Sequence, residues 1–393
     1  MTTSPLQRAR VVGVHATAQA KQLDRTALSA CLEAAMGALA DAGLTPADVD
    51  GIAGRWPGPG GTVMHPGSVD WTSLLGHPLR WVQDTYPQGV PAVLDAAAAI
   101  AAGLCHTVLV VGGQAAIRSG GAVAAYTRPD NEFVAPWGAF TAVHFAMVAQ
   151  RQLHLHPDYR QGAAEAAAAV RNRGHANPDA VMFGKGPYTA EDVLDATMIA
   201  SPLTLLDLCL ATEGAAAMVI TSADRAADTR APVRVLGGAS EWHRQQYVDP
   251  ARHEEVWTVG RDAAADARRM AGVDPTDVDV ALLYDINSFE ILRQLEVAGL
   301  CPPGEAPAYV HDVGIGEGSP VPVNPDGGLK AFGHPVGASG LRMFYEAWLQ
   351  LRGDAPADRS IPATDRTRAL VHNLGGYPGE MVSFVGIVGR ELG

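Results

Sequence analysis

Cysteine is scarce: there are four in 393 residues, at positions 31, 105, 209 and 301. None falls in a CxxC spacing, so the chain offers neither a zinc-site pattern nor a disulfide framework. Basic charge is short as well. Lys and Arg number 29 against 42 Asp and Glu, a net charge of −13, and no basic run gathers anywhere. Sequence-independent nucleic-acid binding needs clustered cations to neutralise phosphates, so this balance argues against it. Long hydrophobic runs are missing too. The opening stretch MTTSPLQRARVVGVHATAQA has no continuous apolar core and does not read as a secretory signal. Residues 91–104 are Ala-rich but carry Asp95, and they are too few to cross a bilayer. A cytoplasmic chain with no membrane and no nucleic-acid partner is the expectation. His154 and His156 alternate in HLHP without a third ligand, so no metal site is expected. Gly314–Gly318 reads GIGEG rather than G-x-G-x-x-G and lacks a strand–helix setting, which removes a dinucleotide site.

Apolar residues are plentiful. At 47% hydrophobic, the chain can bury a substantial core and exceeds one typical domain. Val11–His15 predicts a short strand. Thr26–Ala42 predicts an amphipathic helix with Leu28, Cys31, Leu32, Ala35, Met36 and Leu39 at helical spacing. Val90–Leu104 reads as a helix with Pro91 in its first turn, where a missing N–H costs nothing. A buried strand, Thr107–Gly113, follows. The stretch Ala42–Gly54 (AGLTPADVDGIAG) has an echo at Ala271–Leu283 (AGVDPTDVDVALL). Both copies follow a helical pattern and lead into a strand, so the chain reads as two similar strand-and-helix halves, 1–228 and 229–393. The text from 114 to about 201 breaks this pattern with prolines, aromatics and polar helices such as Gly162–His175. A long insertion at the ligand end of an α/β layer usually covers the site.

One stretch carries the chemistry. Asn324–Gly340, NPDGGLKAFGHPVGASG, sets His334 among five glycines directly before a helical pattern of Leu341, Phe344, Tyr345 and Trp348. A glycine-rich loop at a helix start brings backbone close to a ligand and aims free N–H groups at it. An imidazole at that mouth can donate or abstract a proton. The loop resembles the thiolase signature N-x-x-G-G-x-x-x-x-G-H-P-x-G-x-[ST]-G, and the chain is most similar to the sterol-carrier-protein X and lipid-transfer thiolase-like branch. The resemblance implies an α/β thiolase fold: two βαβαβ-type halves in a layered αβαβα core, with an inserted loop domain at about 114–201.

Thiolases converge four loops on one pocket. By resemblance, Tyr86 of Tyr86-Pro87-Gln88-Gly89 stands at a helix N-terminus where the family carries its nucleophilic cysteine. Cys105 lies about 15 residues along the same helix, roughly 22 Å away, and cannot replace it. Tyr284-Asp285-Ile286-Asn287 matches the N-E-A-F or H-D-x-F loop. Gly333-His334-Pro335 is kept. Asn373-Leu374-Gly375-Gly376-Tyr377 matches C-x-G-G-G, with Asn373 in place of the second cysteine. The candidate catalytic residues are therefore Tyr284, His334 and Tyr86. Asn373, Gly375 and Gly376 would shape an oxyanion site, and Asn287 and Gly333 would contact substrate. His144 and His372 read as interior histidines, His372 being kept in view beside Asn373.

With both thiolase cysteines replaced, three readings stay open. The first is a lyase cleaving a β-hydroxyacyl-CoA by a retro-aldol step, as in the thiolase-fold aldolases that shorten steroid side chains. The second is a divergent acyltransferase working with a partner, and the third a non-catalytic acyl-CoA binder. Those aldolases carry tyrosine where this chain has His334. The resemblance further implies coenzyme A as part of the substrate with no tightly bound cofactor, a homodimer, and a small zinc-ribbon/OB-fold partner protein.

Overall fold

The computed structural model describes residues 4–55, 68–85, 89–115, 141–226, 232–243, 252–361, 367–376 and 382–390. In chain order these form β1 (Ala9–Ala16), α1 (Ala27–Asp41), β2 (Gly51–Arg55), α2 (Trp71–Leu75), β3 (Trp81–Val82), α3 (Val90–Ala101) and β4 (Thr107–Gln114). Three helices follow, α4 (Thr141–Leu155), α5 (Tyr159–Ala176) and α6 (Ala190–Asp195), with a strand pair, β5 (Met198–Ala200) and β6 (Leu203–Thr204). Next come β7 (Gly214–Ser222), α7 (Ala223–Ala226), β8 (Val233–Trp242), α8 (His253–Thr258) and α9 (Arg261–Ala271). The last elements are β9 (Val280–Leu283), α10 (Ser288–Val297), α11 (Ala306–Asp312), α12 (Ser339–Arg352), β10 (Arg368–Gly375) and β11 (Val382–Arg390).

Nine of these strands hydrogen-bond in the order β3-β2-β4-β7-β1-β8-β11-β10-β9. The pairing senses mirror each other about the centre. β2–β4 and β9–β10 run parallel, and every pair between them runs antiparallel. At the centre, β1 and β8 share only Arg10↔Arg234 and Val11↔Val233, so the sheet turns there from one half into the other. α1 covers β1, β4 and β7 from outside, and α9 covers β8 and β11. α3 and α12 touch strands of both halves. The order of layers is α, β, α, β, α.

Sequence explains which helix sits where. α3 reads VPAVLDAAAAIA, apolar nearly all round, as a helix between two sheets must be. α12 buries Leu341, Phe344, Ala347, Trp348 and Leu351, while Tyr345 stays only partly covered. The predicted stripe of α1 needs correction. Its buried face is Ala27, Ala30, Cys31, Ala34, Ala35, Ala38 and Leu39, and Met36 is 43% exposed. Small residues win because β1 approaches closely: a Cβ added to Gly13 would lie 2.3 Å from the Ala38 carbonyl oxygen. The second half repeats the device, with a Cβ on Gly237 of β8 falling 2.5 Å from the Ala267 carbonyl of α9.

The inserted segment also departs from its polar reading. α5 buries Tyr159, Ala163, Ala164, Ala166, Ala167 and Val170, and even Arg171 is only 4% exposed. That guanidinium donates to the carbonyls of Leu206 (2.7 Å), Leu208 (2.8 Å) and Lys330 (3.2 Å), binding the insertion to the loop that carries His334. Among the described residues no helix is long and apolar enough to cross a membrane.

Candidate active site

The Tyr284 loop begins where β9 ends. Asn324, held at φ 47°, clasps that end: its Oδ1 accepts from Leu283 N (2.8 Å) and its Nδ2 donates to Leu283 O (2.9 Å). Asn is one of the few residues that tolerates this left-handed conformation. The same Nδ2 reaches Asp285 Oδ1 at 2.9 Å. Asp285 then accepts from the N–H groups of Leu329 (2.7 Å) and Lys330 (3.1 Å), at the head of a π-helical turn (Gly328–Phe332). This carboxyl is fully buried, and burial raises its pKa against the pull of the Lys330 ammonium. Its position between two loops is that of a staple.

Tyr284 is fixed by its backbone. Gln294 of α10 accepts from Tyr284 N (2.8 Å) and donates to Tyr284 O (2.9 Å), filling both main-chain groups with one amide. Asn287 caps α10, its Oδ1 accepting from Glu290 N at 3.1 Å.

His334 lies on the turn that follows Phe332. Its carbonyl accepts from Thr212 N (3.1 Å), which ties it to the approach to β7. Its Nδ1 is 2.7 Å from Ser339 Oγ, and its ring meets that of Tyr284 edge-on, with centroids 5.5 Å apart and planes at 85°. The imidazole is 5% exposed. Burial, with the Arg342 guanidinium nearby, lowers its pKa to about 3, so it is neutral at physiological pH.

Asn373 and His372 share β10 but point opposite ways, as neighbours on a strand do. His372 Nε2 bonds Ser383 Oγ and faces Gly260 at the head of α9. Asn373 faces the heads of α3 and α12, where a Cβ on Gly89 would lie 2.5 Å from both Asn373 Oδ1 and Gly340 Cα. Gly375 closes β10 against Val382, and Gly376 follows with φ 76°.

Buried polar atoms around these loops that have no hydrogen-bond partner among the described residues include Asn287 Nδ2, Asn373 Oδ1 and Thr212 Oγ1. Gly333 leaves room beside the last of these, since a Cβ there would sit 2.8 Å from Thr212 Oγ1. Buried groups of this kind are rarely left unpaired, so a ligand that reaches them would satisfy them.

Of the sequence candidates, Tyr284 and His334 come into ring contact, Gly333 adjoins them, and Asn287 and Asn373 contribute unpaired amide atoms. Tyr86 lies outside the described residues, as does Tyr377. Sequence reasoning missed Ser339, Gln294 and Thr212. Ser339 occupies the [ST] position of the glycine loop and could have been found there. Gln294 and Thr212 carry no local signal.

Burial raises the pKa of Cys31, Cys105, Cys209 and Cys301 to about 12 in each case. A thiol in that range holds almost no thiolate at neutral pH. Among the described residues no hydrogen bond joins a cysteine to His334.

Comparison with known proteins identifies the family. Residues 241–386 match the family described as Thiolase C-terminal domain-like. A 17-hydroxy-3-oxo-4-pregnene-20-carboxyl-CoA lyase of Mycobacterium tuberculosis is 34% identical over 371 residues, 88% of this chain and 92% of that protein. An acetyl-CoA acetyltransferase of Methanothermobacter thermautotrophicus is 30% identical over 380 residues, 94% of this chain and 96% of that one. Among solved structures, the "Ltp2-ChsH2(DUF35) aldolase" superposes with a TM-score of 0.83 at 26% identity, covering 98% of this chain and 99% of the other. The chain belongs to the thiolase superfamily, in the sterol-carrier-protein-like branch that includes thiolase-fold aldolases.

Proposed function

We propose that this chain is an acyl-CoA lyase that cleaves a β-hydroxyacyl-CoA by a retro-aldol step, with a steroid or other bulky group on the leaving carbonyl. The observation that carries the reading is the buried Tyr284–His334 ring contact, with unpaired amide and hydroxyl atoms on the loops that adjoin it in sequence or by hydrogen bond. Support also comes from the lyase and aldolase named above, which this chain resembles over nearly its whole length.

In the reaction, a base takes the proton of the β-hydroxyl and that oxygen becomes a carbonyl. The Cα–Cβ bond breaks, and its electron pair passes into the thioester as an enolate. Backbone N–H groups of Gly375 and Gly376 would stabilise the enolate oxygen, while Asn373, whose Nδ2 donates to the Leu374 carbonyl, offers its unpaired Oδ1 to a donor of the substrate. An acid then protonates Cα, and a ketone and a shortened acyl-CoA leave. No covalent intermediate is needed, which suits four cysteines held as thiols. Tyr284 and His334 supply the two proton transfers, with Tyr86 as a further candidate. A homodimer and a small zinc-ribbon/OB-fold partner form part of the same proposal. The two-component name of the structural neighbour supports the partner.

The test is incubation of the purified protein, alone and with such a partner, with a tertiary β-hydroxyacyl-CoA. Release of ketone and short acyl-CoA is expected. Tyr284→Phe and His334→Ala should each lower kcat by about 10²- to 10⁴-fold, the usual worth of a positioned acid or base, while the far-UV spectrum stays unchanged. Turnover that survives both substitutions would remove these side chains from the chemistry. The acetyltransferase relative favours a second reading, a divergent acyltransferase that carries out a thiolase-type condensation with a partner. A mass increase on any cysteine after incubation with acyl-CoA would decide for that reading and against the lyase.

A further inference from the structure

We propose that Ser339 is a positioning residue that fixes His334 in its Nδ1–H tautomer and so makes Nε2 the base. The part about the base rests on the lyase reading; the tautomer does not.

The argument is a count of protons. Ser339 Oγ is 2.7 Å from His334 Nδ1 and 3.0 Å from the Pro335 carbonyl oxygen. The hydroxyl owns one proton. A carbonyl cannot donate, so the contact with Pro335 is a hydrogen bond only if the serine proton lies in it. The imidazole must then supply the proton of the other contact, as Nδ1–H to Oγ. In the reverse arrangement, Ser339 donates to Nδ1 and two oxygen lone pairs face each other at 3.0 Å in a buried place. The Pro335 carbonyl already accepts from Ala338 N at 2.6 Å, so the cost of that arrangement is the repulsion of the two oxygens, undamped by water. Ser339 opens α12, and its hydroxyl reaches back to the carbonyl of the turn that leads into the helix, a local side-chain-to-backbone bond of the kind serine favours at helix starts.

The ring stays neutral because it is buried and because Arg342 is close. A neutral imidazole has one N–H. With that proton on Nδ1, the opposite nitrogen presents a lone pair. Ser339 itself is 1% exposed and anchored in a helix, so the selected tautomer is held rigidly. In the lyase reading, Nε2 is therefore the group that takes the β-hydroxyl proton, and Tyr284 is left as the acid that returns a proton to Cα.

The deciding experiment is a two-bond ¹H–¹⁵N correlation of the imidazole-labelled protein at neutral pH, with His334 assigned by its disappearance in His334→Asn. A pyrrole-like Nδ1 and a pyridine-like Nε2 are expected; the opposite assignment overturns the proposal without recourse to any variant. Ser339→Ala should shift both resonances toward the averaged values of a tautomer mixture, and Ser339→Thr should restore them. An unchanged spectrum in Ser339→Ala also overturns it. If the wild-type protein turns over substrate, Ser339→Ala should lose at least about tenfold in kcat with KM held within about twofold, and Thr should recover the loss. Absence of turnover in the wild type would count against the lyase alone, since the spectrum still settles the tautomer.

Discussion

A histidine whose pKa falls to about 3 changes what pH does to this protein. In the unfolded chain the same ring titrates near 6.5. Between those values the unfolded state binds a proton that the folded state refuses, so stability rises with pH across the window and is lost as pH falls through it. His372, buried and close to Arg293, is pushed in the same direction. Glu346, raised to about 7 by burial and by Asp326, acts with the opposite sign, so the comparison must be made within one variant pair. His334→Asn should lose less melting temperature than the wild type between pH 6.5 and 4. For activity, kcat/KM should stay level from pH 8 down to pH 5, with no acid limb near 6.5. A limb at that pH would mean the folded ring titrates like a free histidine. At this scale the sequence was informative where a motif existed. Tyr284, His334 and Asn373 could be named from their loops, and Ser339 lay within the same signature. Gln294 could not be named, because it acts on the Tyr284 backbone from ten residues away and no spacing rule connects a helix glutamine to a strand end.

At the scale of elements, two loops are brought together by one carboxylate. Asp285 accepts three hydrogen bonds, from Asn324 Nδ2, Leu329 N and Lys330 N, and so fixes the Tyr284 loop to the turn that precedes His334. Asp285→Asn keeps the shape but replaces one acceptor oxygen with a donor, which sets N–H against N–H in a buried site. The expected cost is on the order of 3 kcal/mol. It should be read as a lower urea midpoint with an unchanged slope. Because Tyr284 and His334 hang on opposite sides of this staple, activity should fall as well; a stable, fully active Asp285→Asn would show that the two loops find their alignment without it. The glycine loop itself was legible, since its residues must permit tight turns wherever it occurs. The inserted segment was not. α5 reads as polar because of Arg160, Glu165, Arg171 and Arg173, yet Arg171 is buried to satisfy the carbonyls of other loops. Periodicity reports an average polarity and cannot tell an exposed arginine from one that binds loops together.

On the scale of the whole molecule, the repeat seen between Ala42–Gly54 and Ala271–Leu283 becomes a pair of equivalent joints. α1 passes through a 3-10 turn (Pro46–Asp48) into β2, and α9 passes through another (Pro275–Asp277) into β9. In each turn the closing aspartate accepts from the residue that precedes the proline, Thr45 N to Asp48 (2.8 Å) and Asp274 N to Asp277 (2.9 Å). The residue just before each strand is again aspartate. Asp50 accepts from His106 N (2.8 Å) and Thr107 N (2.7 Å), and Asp279 accepts from Thr367 N (2.8 Å) and Arg368 N (3.0 Å). Each aspartate thus ties the start of one strand to the start of its parallel neighbour, a role that the echo hinted at but that needed the pairing of β2–β4 and β9–β10 to be understood. The repetition of the joint predicts a thermodynamic symmetry. Asp50→Ala and Asp279→Ala should each cost about 2 kcal/mol, since each removes the acceptor of two backbone donors. β2 and β9 stand seven strand steps apart in the sheet order, on either side of the β1–β8 junction. At that separation the double variant should equal the sum of the singles to within about 0.5 kcal/mol, provided the chain unfolds as one unit. Denaturant titrations of the two singles and the double make the comparison. A second transition in either single variant would show that one half can open while the other, across the Arg10–Val11 junction of β1 and β8, remains folded.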